Sequence, residues 1–172
     1  MTETSIFKHN ERTLGQLKEA IDVAVVERAL DEEHHHLWVQ ACERFHSSFN
    51  QLAFPGGLEQ ELESLRRGEQ QAIEMAVRFL EADPWFFRSG YIKEELLRML
   101  RRVELSEQQQ ERLRAVVLDR IRSGSGREFR QYCRLARHLV NPEFCELVSR
   151  VVDSSNAGIS RRATMVKRAI ES

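Results

Sequence analysis

Arg127, Arg130, Arg134 and Arg137 are spaced three, four and three. On a 3.6-residue helix that spacing lines four guanidiniums along one stripe, opposite Phe129, Cys133, Ala136 and Leu139. A guanidinium is always charged and presents a planar fork of N–H donors, which pairs bidentately with carboxylates and phosphates. His138 sits at the edge of the stripe. Lys93, Arg101 and Arg102 in the helical segment before it can widen the basic surface, as can Arg161, Arg162, Lys167 and Arg168 in a segment after it. The chemistry offered is anion binding. An acidic protein segment is the first expectation and nucleic acid the second, because Glu94, Glu95, Glu107 and Glu111 dilute the positive charge below what a dedicated DNA binder carries. The plainer alternative is a solvated face whose arginines are tied up by neighbouring glutamates.

Two other clusters carry chemistry by type. Four aromatics fall within seven residues, from Trp85 to Tyr91. If exposed, Trp85, Phe86 and Arg88 have the composition of an interface hot spot. If buried, the same rings plug the joint between the N-terminal part and the helices that follow, the reading preferred here. The second cluster is Glu32-Glu33-His34-His35-His36. On a helix His35, Cys42 and His46 lie at intervals of seven and four, and Glu32 and His36 at four, a line able to offer two or three metal ligands. It adjoins Trp38 and Phe49, which look like core, and no second helix offers a matching E-x-x-H pair to complete a di-iron site. A polar helix start is therefore preferred, and no metal or cofactor is assigned. No phosphate-binding glycine loop, nucleophile elbow or zinc-protease motif occurs. Cys133 lies on the buried side of its helix while His138 points elsewhere, a poor nucleophile pair. The expectation is a binding protein rather than an enzyme.

The elements that must hold these residues are helical. In 172 residues there are 3 Pro and 8 Gly, with 41% hydrophobic and 31% charged residues, which fits a folded helical chain. No apolar run is long enough for a membrane span, the first residues lack a signal-peptide pattern, and three cysteines without C-x-x-C point to a reducing cytoplasm. Charge is uneven. Residues 1–65 hold five Lys/Arg against twelve Asp/Glu, a net −7, and residues 66–172 hold twenty-one against fifteen, a net +6. Such asymmetry implies two surfaces for different partners or two parts that attract.

Apolar periodicity and breakers predict the following order. Residues 1–12 are frayed, and Thr13 caps a helix to about Leu30. Asp31 opens a helix over 32–53, which Pro55-Gly56-Gly57 stops. A short helix covers 58–67 before Gly68, and another covers 69–82 before Asp83-Pro84. Helices over 89–103 and 106–122 come next, the second opened by a Ser106/Gln109 capping box. Ser123-Gly124-Ser125-Gly126 breaks the chain before a helix over 127–140. Asn141-Pro142 caps a helix to about Val152, and a last helix covers 157–170.

Ile92, Leu96, Met99 and Val103 fall on Phe129, Cys133, Ala136 and Val140 with one shift of 37, and those fall on Ile159, Ala163, Val166 and Ile170 with one shift of 30. Helix pairs repeating every 30–40 residues are the mark of an α-solenoid. The last pair, Glu143 to Ile170, with its Asp-bearing turn and its I-S-R-R-A second helix, resembles a HEAT repeat. The two pairs before it match in spacing only. The resemblance covers residues 68–170. It implies a right-handed α-solenoid of about three HEAT-like helix pairs, with residues 1–67 as an acidic helical part packed on the first pair. It also implies that the arginine stripe, on a second helix, faces a concave groove, as in a scaffold or adaptor for another protein. Oligomeric state is left open.

Overall fold

The computed structural model describes residues 3–124 and 126–172. Met1, Thr2 and Ser125 lie outside the described residues. All regular structure among the described residues is helical: α1 (Glu3–Glu27), α2 (Glu32–Ala53), α3 (Leu58–Arg66), α4 (Gln70–Ala82), α5 (Ser89–Leu100), α6 (Glu107–Ser123), α7 (Phe129–Ala136), α8 (Pro142–Val152) and α9 (Ala157–Ile170). No described helix is long and apolar enough to cross a membrane.

The helix starts are set by short polar side chains that accept otherwise orphaned backbone N–H groups. Asp31 Oδ1 accepts from His34 N at 2.9 Å, and Asn141 Oδ1 from Phe144 N at 2.7 Å. Asn156 Oδ1 takes Gly158 N and Ile159 N at 3.0 and 3.1 Å. Ser106 and Gln109 exchange both bonds of a capping box. After α3, Gly68 takes φ +72, which only glycine adopts freely, and its N–H donates to Leu65 O at 3.0 Å, closing the helix.

Two compact units result: residues 1–64 with 82–89, and residues 65–81 with 90–172. The first is built on the α1–α2 hairpin. Phe7, Leu14, Phe45, Ala53, Phe54 and Phe86 are buried in it. Phe7 meets Phe54 edge-on at 6.0 Å, and Phe49 meets Phe86 at 6.3 Å. In the second unit α6 packs on α7 and α9, while α9 also packs on α7 and α8. Its buried side chains include Ile73, Val77, Leu97, Leu100, Leu113, Val117, Ile121, Tyr132, Leu135, Leu139, Phe144, Val148 and Val166. Each such aliphatic or aromatic side chain contributes about 1.5–3 kcal/mol when taken out of water. Polar links reinforce the packing. Arg112 of α6 grips Glu81 with Nε and Nη2, both at 2.7 Å, and Glu74 with Nη1 at 2.8 Å, tying α6 to α4.

Several expectations need correction. The chain is helical from Glu3 rather than frayed to residue 12. Thr13 is not a cap; it lies inside α1 and donates its hydroxyl to His9 O at 3.1 Å. The buried Phe7 explains the earlier start, since it gives the first turns an apolar anchor. The helix foreseen over 127–140 is confined to Phe129–Ala136. Tight three-residue turns follow it, His138 N donating to Leu135 O at 2.8 Å and Leu139 N to Ala136 O at 3.1 Å. Val140, placed on the repeating apolar seam, is consequently 49% exposed. Similarly, α5 stops at Leu100, short of Val103. The N-terminal unit ends its first stretch at residue 64, and the aromatic-bearing residues 82–89 group with it.

Candidate anion-binding groove

Within the second unit, α7 and α9 border a groove of about 760 Å³, lined by Arg127, Arg130, Gln131, Arg134, Arg161 and Met165 among others. Two stripes meet there. Arg127, Arg130 and Arg134 come from the α7 side at spacings of three and four. Arg161 and Met165 come from α9 at a spacing of four, and Arg168, three residues further on, lines a smaller depression with Arg130, Arg134 and Met165. Both spacings keep the side chains on one face of a helix. Buried residues on the opposite faces, Tyr132, Leu135, Ala136, Ala163 and Val166, anchor the two helices.

The arginines divide by role. Arg127 is occupied: its guanidinium lies 3.5 Å from the Tyr91 ring centroid, and Nε is 3.3 Å from Glu94 Oε2. Gly90 makes room for it, because a Cβ there would meet Arg127 Cγ at 3.2 Å. Arg162 is committed to structure. Its Nε donates to Ile121 O at 2.7 Å and an Nη to Arg122 O at 3.3 Å, satisfying carbonyls at the end of α6. Arg130, Arg134, Arg161 and Arg168 have no ion-pair or hydrogen-bond partner among the described residues. The glutamate-paired alternative therefore describes Arg127 alone.

Arg101 stands behind this surface. One Nη donates to Gln131 Oε1 at 3.4 Å, a long bond, and its buried Nε has no hydrogen-bond partner among the described residues. Burial, and then the like charges of Arg134, Arg102 and Arg98, push its pKa down. Positive charge is thus crowded at the end of α5 and along α7, an environment that a bound anion would relieve.

The other expected site residues are placed differently. Arg137 and His138 are exposed, lie beyond the end of α7 and do not line the groove. Lys93 is buried in α5 and lines nothing there. The aromatic run is split. Phe86 is buried, Phe87 meets Phe45 edge-on at 5.9 Å, Tyr91 serves Arg127, and Trp85 is 81% exposed. Arg88, exposed, adopts φ +70. These residues, Tyr91 apart, belong to the N-terminal unit.

The histidine-rich start of α2 is an end cap. His34 Nδ1 lies 2.7 Å from Asp31 Oδ1, His36 Nε2 lies 2.8 Å from Gln40 Nε2, and the His35 ring packs on Trp38 at 5.6 Å. No group of three His, Cys, Asp or Glu able to hold a metal ion is found among the described residues. Burial pushes the Cys133 thiol up to about 11, so it is neutral and unreactive at ordinary pH.

Met165 was missed by the sequence reading. Its signal was an apolar residue four after Arg161 and three before Arg168, on a stripe otherwise polar. What fold and site define is a class only: an all-helical protein with a groove lined by several arginines, of which Arg127 is paired with Glu94 of the same lining. No family model, no curated protein and no solved structure matches the chain.

Proposed function

We propose that this chain is a small helical-repeat scaffold that binds an acidic segment of another protein in the α7–α9 groove, without catalysis and without a cofactor. The observation that carries the reading is that Arg130, Arg134 and Arg161 line the groove and Arg130, Arg134 and Arg168 line the smaller depression that shares its wall, all four without a counter-ion among the described residues. Four uncompensated guanidiniums on one surface repel one another, and carboxylates are the partners whose geometry fits their forks.

The HEAT-like part of the reading draws support from which helices touch. In a stack of antiparallel pairs, first helices contact first helices and second helices contact second helices. Here α4 is tied to α6 through Arg112, and α5 to the start of α7 through Tyr91, Glu94 and Gln131. Further along, α7 packs on α9, and α6–α7 and α8–α9 pack as neighbours, though α6 also packs on α9, a first helix on a second. On that pattern α7 and α9 are second helices, the ones that line the inner face of such arrays. Three unbridged cysteines fit a reducing, cytoplasmic setting.

The test is fluorescence anisotropy with a labelled glutamate-rich peptide, comparing the native chain with Arg130→Glu/Arg134→Glu. Both positions are exposed, so the reversal should leave the melting temperature in place. The reading expects saturable binding that the double reversal abolishes. Equal binding by both proteins, or none by either, would remove the groove from the account. A nucleic-acid ligand would instead show as retarded oligonucleotide probes with a steep salt dependence.

A further inference from the structure

The groove is not uniformly polar. At its α9 side lies a smaller depression of about 300 Å³, lined by Arg130, Cys133, Arg134, Met165 and Arg168. Two of these five are uncharged, the exposed Met165 and the buried Cys133. Met165 is 38% exposed, an unbranched and adaptable thioether. Cys133 presents a neutral thiol, since its burial disfavours the thiolate. The other three are guanidiniums from both walls, Arg130 and Arg134 from α7 and Arg168 from α9.

This arrangement selects among anions. A bare polyanion would satisfy the arginines but leave Met165 covered by solvated charge, with nothing gained from its apolar surface. A ligand presenting an apolar side chain between carboxylates would use both features. Its apolar group would displace water from Met165 over the buried Cys133, while the rim arginines would act in the drier surroundings thus created, where charge pairs are stronger.

Resting on the acidic-segment reading above, we propose that the occupant is an acidic peptide carrying a single apolar side chain of leucine, methionine or phenylalanine type, seated against Met165 and Cys133, with flanking carboxylates on Arg130, Arg134 and Arg168. Charge complementarity chooses the acidic flanks, and the apolar floor chooses the anchor. The device resembles other interfaces in which one buried anchor supplies affinity and a charged rim supplies specificity.

The experiment is selection of a random peptide display library on the full chain, with counter-selection on Arg130→Glu/Arg134→Glu. The proposal expects enriched peptides with one apolar residue at a fixed place among Asp and Glu. A synthetic peptide from that set should bind about tenfold or more tighter than its version with alanine at the anchor. Met165→Gln, a same-length change at a part-exposed site, should erase that advantage while leaving the alanine peptide's affinity as it was. Peptides enriched in acids with no apolar position, or an anchor effect untouched by Met165→Gln, would overturn this inference and leave the acidic-segment reading standing. Enrichment without acidic residues would overturn both.

Discussion

Arg114 offers a sharp test of how the second unit is held together. Its side chain is 6% exposed, whereas its two carboxylate partners, Glu107 and Glu111, are 77% and 67% exposed. Nε donates to Leu139 O at 2.8 Å, Nη1 to the two glutamates at 2.9 Å each, and Nη2 to Gln110 Oε1 at 3.2 Å. Burial works against its charge, but the hydrogen bonds it donates to both glutamates outweigh this and raise its pKa. The decisive bond is the one to Leu139 O, a carbonyl at the end of α7 that the tight turns there do not satisfy. A hydrogen bond from a charged donor contributes about 1.5–3 kcal/mol. Exposed ion pairs contribute about 0–1 kcal/mol each. Arg114→Met, which keeps the apolar stem, should therefore cost about 2–4 kcal/mol, while Glu107→Gln/Glu111→Gln should cost about 1 kcal/mol. For a chain of this size that is roughly 2–4 °C of melting temperature per kcal/mol. Thermal and urea unfolding followed by circular dichroism would measure both. If the glutamate double variant lost as much as Arg114→Met, the stability would lie in the surface ion pairs and the reasoning about the Leu139 carbonyl would be wrong.

Other consequences can be checked in parallel. Arg101→Met removes a crowded charge with an unsatisfied Nε, so it should leave the melting temperature unchanged or raise it; a loss of about 2 kcal/mol or more would show that Arg101 is a structural cation. Asp31 is held below its ordinary 3.8, first by the His34 backbone N–H and then by its ring, and His34 is held above 6.5, first by its bond to Asp31. The lowered Asp31 supports α2 above pH 3.8 and loses that support as pH falls through its folded value. The raised His34 adds support below pH 6.5 and loses it as pH rises through its own. An NMR titration should place the His34 midpoint above 6.5 in the native chain and back near it in Asp31→Asn; identical midpoints would refute the pairing. Cys42 and Cys145 are part-exposed and Cys133 is buried, so iodoacetamide should alkylate Cys133 last, as mass spectrometry of digests would show.

Local punctuation was the legible part of the fold. Asp31, Ser106 with Gln109, and Asn141-Pro142 act through bonds to backbone only two or three residues away, so their roles can be read without tertiary knowledge. The arginine stripe was legible for the same reason, since three-and-four spacing is a property of one helix. The start of α1 was not, because it depends on Phe7 finding Phe54 far along the chain. The early end of α7 was hidden too, because Leu139 is drawn inward and its carbonyl is taken by Arg114 of another helix. Nothing local separates Arg112 and Arg162, which are spent on structure, from Arg130, Arg134, Arg161 and Arg168, which are not, and even Arg114, with Gln110 and Glu111 one turn before it, makes its buried bond to distant Leu139. That difference lies in partners 25 to 41 residues away. Met165 joins the site only because α9 packs beside α7.

The most direct measurement is an NMR titration of the full chain with the glutamate-rich peptide, following arginine Nε–Hε and methionine methyl signals. Progressive, saturable shifts should appear at Arg130, Arg134, Arg168 and Met165, with Arg112 and Arg162 unmoved because their donors are already bonded within the fold. Shifts confined to the N-terminal unit, or spread evenly over every exposed arginine, would contradict the claim that the α7–α9 groove is where this protein meets its partner.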